Sequence, residues 1–252
     1  MVTRLLALTT LIAALSLPAT AQQLTAREYA KANGIPNHQS AITLSPPHAC
    51  TLSKQHPCVY YGGDIDPNDP EEDGLSNENS VWIQESWTYN EVKVPLQLKI
   101  SAAFTNNLQT YAIIDPQTAN WDFRIGVSEG NGGTDIASGT GPALLTDTGR
   151  NAFGFEEYEL LTKTPVSLPK GNLWFDVQPN CTNPNDVDCS FPARYFESDT
   201  DGLNGINSKF TVTSNTGMGP TGYDWRDEEL WFGSCYSAGI ACGDGMSAGL
   251  LK

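Results

Sequence analysis

Val92-Lys93-Val94-Pro95-Leu96-Gln97-Leu98-Lys99-Ile100 alternates apolar and polar residues without a break. A period of two sends successive side chains to opposite faces of an extended chain, so Val92, Val94, Leu96, Leu98 and Ile100 form an inward face and the residues between them a wetted one. The pattern predicts one long half-buried strand. Trp121, Phe123, Ile125 and Val127 repeat the alternation around Asp122, Arg124 and Gly126, and Leu173, Phe175 and Val177 repeat it around Trp174, Asp176 and Gln178. Residues 81–89, 153–161, 194–197, 206–213 and 230–232 read as further extended segments. Turn clusters such as Glu129-Gly130-Asn131-Gly132-Gly133 and Asp199-Thr200-Asp201-Gly202 separate them. Many short strands with Gly-rich turns predict an all-β chain, a single-domain β-sandwich of jelly-roll-like kind. Residues 25–33 read as a short N-terminal helix, with Thr25 as cap, Glu28 three positions on and Gly34 as stop.

The beginning of the chain reads as a secretory leader. Arg4 supplies the positive start, residues 5–17 an apolar stretch too short to span a bilayer comfortably, and Ala19-Thr20-Ala21 a small-residue cleavage site. The expected division is a signal peptide over 1–21, an N-terminal extension with the helix and a Pro-rich loop over 22–59, and a β-sandwich over 60–252. No second apolar run of spanning length follows, and the sequence closes on Gly249-Leu250-Leu251-Lys252 without a sorting tail, so release as a soluble extracellular monomer is the expectation. The 6 cysteines fall as neighbouring couples. Cys50 and Cys58, Cys181 and Cys189, Cys235 and Cys242 each bracket a short Pro-, Asn- or Gly-bearing loop, which favours three local disulfides at the rims. Each closed loop would stabilise by about 2.5 kcal/mol on the chain-entropy argument.

With 14 Lys plus Arg against 29 Asp plus Glu, the formal net charge is −15. Such a field repels phosphate backbones and anionic lipid, which argues against nucleic-acid or membrane-surface partners. The most acidic run holds Asp64, Asp66, Asn68, Asp69 and Asp73, hard oxygen ligands dense enough to form a candidate calcium site in a sandwich loop. It is not an EF-hand loop, because Asp69 stands where that loop demands Gly and Leu75 where it demands Glu. His38, His48 and His56 cluster in the Pro-rich extension without metal-site spacing, and read as exposed loop residues. Gly126-Val127-Ser128-Glu129-Gly130 has the spelling of a nucleophile elbow. Asn131-Gly132-Gly133 breaks the helix that an elbow requires and all three histidines lie upstream, so the segment reads as a turn. Asn180-Cys181-Thr182 is a glycosylation acceptor in a eukaryotic host.

Paired carboxylates could act on a glycosidic bond, and Glu156, Glu157, Glu159, Asp227, Glu228 and Glu229 supply candidates. Adjacent strand positions face opposite ways, so Glu156 and Glu157 cannot share a cleft, and no residue is singled out as catalytic. The aromatics carry more. On the strand around residue 85, Val81, Ile83, Trp87 and Tyr89 share one face and Trp82 the polar one. Trp174 points with Asp176 and Gln178, and Trp225 sits in Tyr223-Asp224-Trp225-Arg226-Asp227. Flat rings flanked by hydrogen-bonding groups are what sugar faces or a protein partner dock against, so Trp82, Trp174 and Trp225 are the candidate ligand-binding residues.

Gly62-Gly63-Asp64-Ile65-Asp66-Pro67-Asn68, Gly74-Leu75-Ser76-Asn77-Glu78-Asn79, Phe104-Thr105-Asn106-Asn107 and Gly126-Val127-Ser128-Glu129-Gly130-Asn131-Gly132-Gly133-Thr134 resemble segments of an uncharacterised family of secreted bacterial proteins that often carry a C-terminal sorting signal. The resemblance covers about residues 60–196. It implies an exported β-sandwich and brings no activity, cofactor or catalytic residue; the sorting signal is the point of departure. The expectation is a secreted, non-catalytic binding module for a glycan or cell-surface ligand, with loop calcium as a candidate cofactor. The competing readings are a polysaccharide-active hydrolase or lyase and a structural surface or matrix protein.

Overall fold

The computed structural model describes residues 25–36, 58–66, 68, 73–80, 85–109, 116–128, 131–181, 194–200, 209–214, 224–227 and 245–252. Among them the chain is almost entirely β, with one short helix, α1 (Ala26–Asn33). The strands are β1 (Cys58–Tyr61), β2 (Gly74–Ser76), β3 (Asn79–Ser80), β4 (Glu85–Val94), β5 (Leu98–Gln109), β6 (Thr118–Ile125) and β7 (Thr134–Ala152). They continue as β8 (Phe155–Leu168), β9 (Gly171–Cys181), β10 (Tyr195–Thr200), β11 (Lys209–Ser214), β12 (Asp224–Asp227), β13 (Gly245–Met246) and β14 (Ala248–Leu251). They form a curled sheet in the order β1-β14-β5-β8-β7-β6-β9-β4-β11-β12, with β10 beside β5, β2 and β13. Pairing is antiparallel except between β3 and β9.

The curl comes from two places where the chain changes partners. In β7, Thr118 of β6 pairs with Pro142, while the next residue, Ala143, pairs with Thr162 of β8. Pro142 has no N–H to donate and marks the point where one ladder hands over to the other. The second place corrects the single long strand expected over 92–100. Val94 ends β4 opposite Gly171 of β9, and Leu98 opens β5 opposite Leu168 of β8, so residues 95–97 carry the chain from one limb to the other. Pro95 breaks the ladder and Leu96 is 73% exposed. The alternation survives the break because Val94 and Leu98 both flank the same core, which periodicity alone cannot distinguish from one continuous strand.

That core lies between the limbs. Val92 and Val94 of β4, Phe123 of β6, and Leu173, Phe175 and Val177 of β9 meet Ile100 and Ala103 of β5, Leu160 and Leu168 of β8, and Ala248 and Leu250 of β14. Each Val, Leu, Ile or Phe side chain so removed from water stabilises by about 1.5–3 kcal/mol. Phe123 and Phe175 stack at 5.7 Å, and Tyr60 meets Phe175 edge-on at 5.9 Å. Polar links cross as well: Thr105 Oγ1 donates to the Val177 carbonyl at 2.6 Å, and Tyr60 Oη to that of Glu91 at 3.2 Å.

The helix forms as expected, with a complete capping box between Thr25 and Glu28 and a left-handed Gly34 at its end. Its buried face, Ala26 and Ala30, packs with Leu108, Phe155 and Phe196, so the helix of the expected extension is built into the sheet. Cys58 and Val59 of that extension belong to β1. The β7–β8 hairpin turns on Phe153 and Gly154, both at positive φ (54° and 89°). Such a turn matches strand twist but strains a side-chain-bearing residue. Burial of Phe153 and the Arg27 guanidinium 4.4 Å above its ring offset the strain.

Candidate functional site

Rings and polar groups meet on the outer face of the β4–β9–β6–β7 limb. Val92 and Val94 turn inward, so the alternate residues Trp87 and Tyr89 turn outward and stack at 5.8 Å. Trp174 of β9 and Val127 complete a separate aromatic cluster with them. Beside it, Tyr89 Oη donates to Asp122 Oδ2 at 2.8 Å, and Arg124 Nε donates to the same oxygen at 2.7 Å. Arg124 also holds the Gly132 carbonyl at 3.0 Å and lies 5.9 Å from the Tyr89 ring centroid.

These groups line a recess of about 260 Å³, whose walls include Trp87, Tyr89 and Trp121, the Asp122–Arg124 pair, and Asn120, Asp135, Ser138 and Thr140. The volume lies just under the ~300–1,000 Å³ usual for small-molecule sites and suits one ring-sized ligand. Gly139 is essential to the wall. It faces Trp121 across the ladder, and a Cβ there would come within 2.7 Å of the indole. Burial pushes the Asp122 carboxyl above the ordinary carboxylate range, with the Arg124 ion pair pulling it part of the way back. The Tyr89 hydroxyl is pushed up by burial and then by the Asp122 charge, so it stays a proton donor to Asp122.

Of the aromatics singled out in sequence, Trp174 does lie opposite Leu173, Phe175 and Val177, and it is buried (9% exposed) in one cluster with Trp87 (7%) and Tyr89 (1%). Trp82 lies outside the described residues. Trp225 belongs to β12, at the register position opposite Val212, which in turn faces Trp87. Trp87 and Tyr89, expected inward, are buried, but in the cluster on the recess side instead of the core between the limbs. Their exchange of faces follows from Val92 and Val94: the parity of one strand is set by whichever residues enter the larger core.

Asp64, Asp66 and Asp73 of the acidic run each have hydrogen-bond partners of their own. Asp64 accepts from Tyr61 Oη and from Arg150 Nη1 at 2.9 Å. Asp66 closes a local turn on the Asn68 backbone N–H at 2.9 Å. Asp73 receives the Arg27 N–H at 2.9 Å and that of Gly74 at 2.7 Å, at the start of the helix. Asp69 lies outside the described residues. Among the described residues no three His, Cys, Asp or Glu side chains gather as a metal site. The serine motif is a tight turn in which Ser128 and Asn131 exchange backbone hydrogen bonds at 2.9 and 2.8 Å. Glu156 is exposed and Glu157 buried, as their adjacency requires. Glu157 accepts from Arg150, from Thr148 Oγ1 at 2.8 Å and from Ser198 Oγ at 2.6 Å.

No free cysteine occurs among the described residues, which include Cys58 and Cys181. Cys50, Cys189, Cys235 and Cys242 lie outside them, as do His38, His48 and His56. Asn180 is part-buried on β9 and donates to Thr118 Oγ1 at 3.2 Å. No helix among the described residues is long and apolar enough to cross a membrane. No family model, no curated protein and no solved structure matches the chain.

Sequence reasoning missed Asp122, Arg124 and the β7 wall. Asp122 and Arg124 were visible only as the polar half of an alternating strand. Residues 134–152 received no strand assignment in sequence, because Gly139, Gly141 and Pro142 interrupt the alternation; in the structure the two glycines make room for the Trp121 and Thr162 side chains.

Proposed function

We propose that the protein is a secreted, non-catalytic binding module of β-sandwich architecture that takes one residue of an extracellular glycan, or a similar cell-surface group, in the recess beside Trp87 and Tyr89. The observation that carries the reading is the juxtaposition of aromatic walls (Trp87, Tyr89, Trp121) with Asp122, Arg124, Asn120 and Thr140 around a ring-sized volume. A sugar offers just these two surfaces, a C–H face for stacking and hydroxyls that both donate and accept. The leader-like sequence over 1–21 and the paired cysteines support an oxidising, extracellular setting. The shared core of the two limbs supports the sandwich, and the three local disulfides belong to the same proposal, to be read by non-reducing peptide mapping.

The test is a glycan array probed with the mature chain, then with Trp87→Ala and Trp121→Ala. Binding is expected to fall at least tenfold in both while the far-ultraviolet circular dichroism stays unchanged. Undiminished binding by both variants would remove the recess from the reading. Sugar release from a polysaccharide panel would replace the binding module with an enzyme.

A further inference from the structure

Asp122 and Asp176 stand directly across from each other on β6 and β9, and both are buried. Residues paired in this way carry their Cβ atoms about 4.5–5.5 Å apart on one face of the sheet. The groups packed around them come from every neighbouring element. From β4, Tyr89 Oη donates to Asp122, and the Thr88 N–H donates to Asp176 Oδ2 at 3.0 Å. Arg124 on β6 pairs with Asp122, and Asp135 on β7 faces Arg124. Asn77 Nδ2 donates to Asp176 Oδ1 at 2.9 Å and reaches Glu197 Oε2 of β10 at 3.3 Å, so a further carboxylate stands behind the pair.

Two carboxylates side by side in a dry setting do not both ionise. Asp122 Oδ1 is buried and accepts no hydrogen bond from the described residues. A proton on the neighbouring carboxyl would supply the donor it lacks. We propose that Asp176 is a positioning residue for the recess: it shares one proton with Asp122, and that proton holds the Asp122 carboxylate onto Tyr89 and Arg124 in the recess wall. The inference deepens the proposed binding function and rests on it only for its ligand arm. Burial raises both carboxyls above their usual range, and the Asp122 charge raises Asp176 further. The folded state therefore holds a proton that the unfolded chain gives up at ordinary carboxylate pH. Stability is full below that range and is lost as pH rises through the raised folded value, by up to about tenfold in the folding equilibrium per pH unit for one proton.

The experiment follows urea unfolding of the ligand-free chain from about pH 4 to about pH 9, for wild type and Asp176→Asn. The amide of Asp176→Asn donates to Asp122 at every pH, so the wild-type slope is expected to flatten in the variant. Parallel profiles overturn the proposal. Infrared difference spectra of the wild type give a second readout, independent of whether the variant folds: a carboxylic-acid C=O band that titrates above the usual carboxylate range supports the shared proton, and its absence overturns it. With methyl glycosides of neutral hexoses as probe, wild-type affinity is expected to fall over the same pH window and that of Asp176→Asn to stay level. If no glycoside binds yet the unfolding slope behaves as expected, the binding reading fails and the shared proton stands.

Discussion

Replacing Arg150 by Ala probes a buried charged cluster of the interior. Arg150 is 4% exposed and lies between Asp64, 2.9 Å from Nη1, and the fully buried Glu157. Removing one member of a buried pair costs about 3–5 kcal/mol, because the remaining charge is stranded. Glu157 would keep the hydroxyls of Thr148 and Ser198 at 2.8 and 2.6 Å. Hydrogen bonds to a charged group contribute about 1.5–3 kcal/mol each. The loss therefore falls at the lower end, about 3 kcal/mol. With a urea slope of about 2–3 kcal/mol per molar, the midpoint drops by about 1–1.5 M, read by tryptophan fluorescence with far-ultraviolet circular dichroism as the second probe. The combined Arg150→Met, Glu157→Gln variant recovers most of the loss, since neither charge remains to be desolvated. A single-variant midpoint within about 0.3 M of wild type, or a combined variant no better than the single one, would refute the argument.

Two further outcomes test other parts of the structure. Gly139→Ala places a Cβ 2.7 Å from the Trp121 indole, so it is expected to cost about 1–3 kcal/mol as an overpacked site and to weaken recess binding; an unchanged melting temperature together with unchanged binding counts against the wall as described. Exhaustive dialysis against EDTA is expected to leave the melting temperature where it was, since Asp64 is engaged by Arg150 and Asp73 by the start of the helix. A lower melting temperature, restored by calcium, would place the ion in the acidic run after all.

Much of the fold was legible because it depends on period and on local chemistry. Leu173, Phe175 and Val177 alternate, and they enter the core; Thr25, Glu28 and Gly34 spell a capped helix, and the helix has those ends. The candidate site was not legible in the same way. Its aromatic walls, Trp87 and Trp121, stood in strands whose inward and outward faces could be divided but not ranked. Its charged pair, Asp122 and Arg124, is ordinary spacing for a wetted strand face.

The amino-acid sequence by itself determined the β class, the helix and its caps, the turn at Ser128 and the acidic field, because each follows from interactions within a few residues or from composition. Only tertiary structure decided that residues 92–100 divide between two limbs, that β7 serves both, and that Asp122 comes to lie beside Asp176 and Tyr89. Those outcomes depend on which strands become neighbours. Strand pairing joins residues far apart in the chain, and no local pattern records the partner.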